Sequence, residues 1–104
     1  MRIVLNKKNN NIEFTQDNYI EKIIDVCDKT LNNNWELIVN DFGNNKDLLL
    51  SIEKDSEYDL VDIVIINNKT GEPLDDAIGI SISDDSLYEE LIRIWNHEDF
   101  ELLD

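Results

Sequence analysis

Basic side chains are scarce in this chain of 104 residues: 9 Lys and Arg stand against 24 Asp and Glu, a formal net charge of -15. That deficit excludes direct binding to nucleic acid or to an anionic membrane, because attraction to phosphate is carried by Lys and Arg. Cys27 is the one cysteine, so no internal disulfide can form, in keeping with a reducing compartment. With one Cys and one His, zinc has no ligand set. Pro73 is the one proline, no Pro- or Ser-rich stretch marks a linker and no internal repeat occurs, so a single domain over residues 1–104 is expected. No apolar run approaches the roughly 20 residues that span a bilayer. The run in "MRIVLNKKNN" is too short for a secretory signal, and a cytoplasmic protein is expected.

Signature motifs are missing as well. There is no Walker loop, no Gly-x-Gly-x-x-Gly and no Gly-x-Ser-x-Gly elbow. An EF-hand loop needs Gly at its sixth position, and neither "DKTLNNNWELIVN" nor "DSEYDLVDIVII" supplies it. Paired carboxylates can do glycosidase-type acid and base work, but that chemistry needs a dry pocket that raises a pKa, and a small sheet with two helices leaves little room for a cleft. The sequence therefore predicts no enzyme, no metal and no cofactor. Cys27 falls on the apolar stripe of a helix and reads as a core thiol. His97, in "WNHED", reads as a cation at a helix C-terminus, and Trp35 and Trp95 lie in apolar periodic runs that read as core.

What is present is a set of well-spaced apolar segments, with hydrophobic residues at 41%. Asn clusters at Asn9 to Asn11, Asn32 to Asn34, Asn44 with Asn45, and Asn67 with Asn68 mark connections, since Asn tolerates left-handed backbone and bonds its own turn. "RIVL" and "NIEFT" around "NKKNNN" predict a first hairpin. A helix is predicted from about Gln16 to Asn32, capped by Thr15, with Ile20, Ile23, Ile24, Cys27 and Leu31 on one face. "WELIV", "DLLLSIE" and "LVDIVII" with short gaps predict an antiparallel meander, and "AIGISIS" a further strand. Ser86 with Glu89 fits a capping box for a second helix, about Leu87 to His97, whose stripe is Leu87, Leu91, Ile94 and Trp95. The expected fold is α+β: one antiparallel sheet of four to six strands with two helices packed on one face.

The charge is lopsided. Residues 1–50 hold 6 basic and 8 acidic side chains, a net of -2, and residues 51–104 hold 3 and 16, a net of -13. The acids cluster as Asp55, Glu57 and Asp59, as Asp75 with Asp76, and as Asp84, Asp85, Glu89, Glu90, Glu98, Asp99, Glu101 and Asp104. A solvated surface explains such groups in many proteins. Here like charges repeat without opposite charges three or four residues away, and self-repulsion disfavours the compact state unless a basic partner offsets it. Alternate residues of an extended "DSEYD" stand about 6.6 Å apart, close to the spacing of successive phosphates, so carboxylates there fit the Lys and Arg sites of a nucleic-acid groove.

In size, acidity, α+β pattern and carboxylate-rich loops, the chain resembles the small acidic inhibitors of phages and mobile elements: anti-CRISPR proteins, DNA mimics and immunity proteins against nuclease toxins. The resemblance implies a partner that is a CRISPR effector, a restriction enzyme or a nuclease toxin. An anti-CRISPR or anti-restriction protein is the first expectation, an Asn-, Ile- and Lys-rich composition being in the style of AT-rich phage genes. An immunity protein is the second, and a non-enzymatic adaptor that binds through apolar surface the third. The partner-facing residues are expected among Asp84, Asp85, Glu89, Glu90, Glu98 and Asp99 around the second helix, with Asp55, Glu57, Asp59, Asp75 and Asp76 in the loops.

Overall fold

A computed structural model of the chain describes residues 1–9, 12–32, 34–44, 47–55, 59–74, 78–82 and 85–96. In chain order the elements are β1 (Arg2–Leu5), β2 (Lys8–Asn9), β3 (Ile12–Glu13), α1 (Gln16–Asp25) continued by a π-helical turn (Val26–Thr30), β4 (Glu36–Phe42), β5 (Leu48–Lys54), β6 (Leu60–Asn67), β7 (Ile78–Ser81) and α2 (Ser86–Trp95). Five strands form one sheet in the order β1-β4-β5-β6-β7, and β2 pairs with β3 alone. The fold is α+β, and the sheet is mixed: three of its pairings are antiparallel and β1 runs parallel to β4.

That parallel pair corrects the expected first hairpin. "RIVL" does not pair with "NIEFT"; Arg2 to Leu5 align with Glu36 to Val39 instead, and only Lys8–Asn9 and Ile12–Glu13 form a short hairpin. Parallel neighbours need a crossover, and α1 supplies it. The chain leaves β1, runs along α1 and returns to the starting end of the sheet, where β4 begins.

Burial alternates along the strands as period two requires. Leu37, Val39, Leu48, Leu50, Ile52, Val61, Ile63, Ile65 and Ile80 are buried on the face that meets the helices. Asn40 and Asp41 form a bulge, since Val39 pairs with Leu50 and Phe42 with Leu48. Asp41 adopts φ 55, a left-handed conformation that Asp tolerates better than most residues. The extra residue changes the phase of β4, and Phe42 is fully buried with Leu37 and Val39 rather than turned to the opposite face.

Both helices lay their apolar stripes on this face. Thr15 caps α1, its Oγ1 accepting from the Asn18 N–H at 3.3 Å. The buried set is Tyr19, Ile20, Ile23, Val26, Cys27 and Leu31, whereas Ile24 is only half-buried. In the π-helical turn Leu31 N–H donates to Val26 C=O at 2.7 Å, and Lys54 Nζ donates to Cys27 C=O at 3.3 Å, tying the turn to the end of β5. In α2 the stripe Leu87, Leu91, Ile94 and Trp95 is buried as read from the sequence. The helix begins one residue early, however, so Ser86 lies in its first turn and Asp85 holds the capping position without a side-chain capping bond.

At the far end of the sheet Trp95 closes the core. Its ring meets Phe42 edge-on at 4.9 Å and Tyr19 at 6.3 Å. Its Nε1 donates to Asn44 Oδ1 at 2.6 Å, and Lys7 Nζ sits 4.6 Å from the ring centre. Trp35, by contrast, is half-buried.

Candidate functional site

Strand register assembles a carboxylate row that sequence reasoning missed. Arg2 pairs with Glu36, Glu36 with Glu53, Glu53 with Asp62, and Asp62 with Gly79. Directly paired residues share a face, so Glu36, Glu53 and Asp62 line up on the side of the sheet away from the helices, on strands about 4.8 Å apart. Arg2 Nη2 lies 3.9 Å from Glu36 Oε2, and Ser51 Oγ donates to Glu36 Oε1 at 3.0 Å. Glu53 and Asp62 are exposed and make no side-chain hydrogen bond or ion pair with the described residues. Gly79 lies beside Asp62, where a Cβ would come into ordinary contact with Asp62 Oδ1 at 3.4 Å.

The row marks one end of the molecule. It comprises the start of β4, the end of β5 and the start of β6, next to the connection that holds Asp55 and Asp59. That connection is closed by Asp55 N–H donating to Leu60 C=O at 2.9 Å. Ile82 N–H donates to Asp59 C=O at 3.1 Å, which brings the end of β7, and with it Asp85 at the head of α2, to the same place. Asp55, Asp59 and Asp85 therefore share an end with the row. Arg2, Trp35, Glu36 and Glu53 also line one shallow depression there.

Among the other expected site residues, Glu89 and Glu90 belong to the helical layer and flank a second depression between β7 and α2. Glu89 is exposed. Glu90 corrects the expectation that no opposite charge lies three or four residues away: its carboxylate accepts from Arg93 Nε at 3.1 Å and from Arg93 Nη2, an i,i+3 fork within the helix. Glu57, Asp75, Asp76, Asp84, Glu98 and Asp99 lie outside the described residues, as do Glu101, Asp104 and His97 with its expected capping role.

Sequence could have pointed to the row by phase alone. Glu36, Glu53 and Asp62 each occupy the position out of step with the buried residues of their strand. They are single acids far apart in the chain, and only the register joins them.

Other titratable groups are displaced by their structural surroundings. Burial pushes the Cys27 thiol up to about 12, with Lys54 lowering it and Asp28 raising it, so the nucleophilic thiolate is withheld. Burial, with the charge of Asp41 adding, holds the Tyr19 phenol well above its ordinary value. The Asp17 charge is the main cause that raises the Tyr88 phenol between the helices. Asp25 is lowered by its hydrogen bond to Lys29, 2.9 Å away. Among the described residues no three His, Cys, Asp or Glu side chains converge as metal ligands would, and no helix is long and apolar enough to cross a membrane.

Set against protein-family models, curated proteins and solved structures, the chain matches none of them.

Proposed function

We propose that this chain is an acidic protein inhibitor, cytoplasmic and non-enzymatic, that binds a basic nucleic-acid-binding or nuclease partner and blocks its function. The reading rests on one observation above all: Glu36, Glu53 and Asp62 stand in cross-strand register at the end of the sheet that also receives Asp55, Asp59 and Asp85. Like charges placed directly opposite destabilise a sheet, and a cationic surface offsets that cost on binding. Carboxylates about 4.8 Å apart across strands compete with phosphates for Lys and Arg side chains.

A phage-encoded anti-CRISPR or anti-restriction protein fits this reading best, the partner being a CRISPR effector or a restriction enzyme. An immunity protein against a nuclease toxin uses the same electrostatics and differs in genomic neighbourhood, since its gene adjoins that of the toxin.

The test is affinity capture with the full chain, followed by a nucleic-acid-binding assay of the captured protein. Expected is a partner whose DNA or RNA binding is lost when the chain is added and regained in high salt or with Glu53→Gln/Asp62→Asn. A captured protein that binds nucleic acid equally well with the chain attached would overturn the proposal.

A further inference from the structure

No described residue that strand register puts on the sheet face opposite the helices is fully buried. Two residues along from the carboxylates, Val4, Ile38, Ser51 and Val64 form a second cross-strand row, and Leu49 with Ile66 begins a third. Val4 is 47% exposed, and Ile38, Leu49, Val64 and Ile66 are each incompletely buried. This is an apolar strip bordered along one side by acids.

We infer that this face docks an amphipathic helix of the basic partner, lying across the strands, with its Lys and Arg over Glu53 and Asp62 and its apolar stripe over Val4, Ile38 and Val64. The inference rests on the inhibitor reading and names the surface it uses. Spacing selects a helix over a strand. Residues three or four apart on a helix lie about 5–6 Å from one another, close to the roughly 4.8 Å between strands. An extended segment presents side chains every ~6.6 Å, out of step by the third. The carboxylate and apolar rows lie about 6.6 Å apart, within the breadth of one helix about 10 Å across.

Charge selects the owner of the helix. A second copy of this chain, at -15, would bring carboxylate row against carboxylate row, and nucleic acid would do the same with phosphates. A partner rich in Lys and Arg reverses the sign. Arg2, held to Glu36, closes the row at the β1 edge and leaves Glu53 and Asp62 as the charged contacts.

The test is an amide NMR titration of the labelled full chain with three synthetic peptides of equal charge. The first is a stapled helix with a Lys stripe beside a Leu stripe, the second the same stapled helix with the stripes scrambled, and the third an extended peptide alternating Lys and Leu. Expected is binding of the first about tenfold or more tighter than the others, with shifts centred on Ile38, Ser51, Asp62 and Val64. Val64→Lys and Glu53→Gln/Asp62→Asn should each weaken it about tenfold, and Val4→Lys, at a position already exposed, serves if Val64→Lys fails to fold. Equal affinity for all three peptides, shifts centred on α2 or the Asp55–Asp59 connection, or self-association through this face in low salt would overturn the docking site. Binding that responds to Glu53→Gln/Asp62→Asn but not to the Val64 and Val4 variants overturns the docking face and leaves the acidic-inhibitor reading standing. Binding indifferent to every variant and to salt overturns both.

Discussion

Glu36 and Glu53 face each other across adjacent antiparallel strands, and Asp62 extends their line onto the next. Like charges so placed repel, and among the described residues Arg2 is the cation that reaches the row, at Glu36. The same carboxylates that weaken the isolated fold are the groups offered to a cationic partner.

The first expectation follows from that repulsion. Glu53→Gln/Asp62→Asn should stabilise the isolated chain by about 0.2–1 kcal/mol, with the gain shrinking as salt screens the charges. Urea unfolding at low and high salt measures it, and a loss of stability would mean that the carboxylates are held by favourable contacts.

Tyr19 ties the two parallel strands together. Its hydroxyl reaches Leu5 C=O at 3.1 Å and Asn40 C=O, and Asn40 Nδ2 donates to Asn6 Oδ1 at 3.0 Å beside it. Tyr19→Phe leaves those carbonyls without the donor and should cost about 1–3 kcal/mol in urea unfolding. The raised phenol also sets a pH dependence. Below the ordinary value of 10.0 the group is neutral folded and unfolded and contributes no slope. Above it only the unfolded chain gives up the proton, so stability falls as pH rises. Tyr19→Phe should flatten that alkaline fall.

Cys27 behaves in the same sense. Its ordinary value is 9.0 and burial carries it to about 12, so stability drains away as pH climbs through that window, because the unfolded chain ionises first. A thiol reagent at mildly alkaline pH should leave the native protein unmodified over the time in which it labels the urea-unfolded chain completely. Rapid labelling of the native state would show the thiol to be reachable.

Asp41 holds the bulge that keeps Phe42 in the core. At φ 55 a β-branched side chain is strained, so Asp41→Val should cost about 1–2 kcal/mol, while Asp41→Gly should be tolerated. Because Phe42 meets the Trp95 ring edge-on at 4.9 Å, indole fluorescence reports the same loss through a shifted unfolding midpoint.

Much of the fold was legible because periodicity is a local property. The spacing of Leu87, Leu91, Ile94 and Trp95 foretold the buried face of α2, and the alternation in "LVDIVII" foretold β6. Parallel pairing of β1 was not legible, since four residues carry no mark of their partner and the crossover is decided by how α1 packs. Tyr19 and Val26 were absent from the expected stripe of α1, the first because its polar end hid a fully buried ring and the second because the π-helical turn shifts the phase. The acid clusters of the second half of the chain were legible as composition. That Asp55 and Asp59 lie at the same end as Glu36 and Glu53 was not, because Glu36 is an isolated acid in the nearly balanced first half and reaches the row only through register.

The most direct test of the acidic surface is the association rate of the chain with its captured basic partner at roughly 50 mM and roughly 500 mM salt. A rate that falls about tenfold or more between the two, and a Glu53→Gln/Asp62→Asn variant that has lost most of that dependence, is the expected result. A rate that ignores both salt and the substitutions would contradict it.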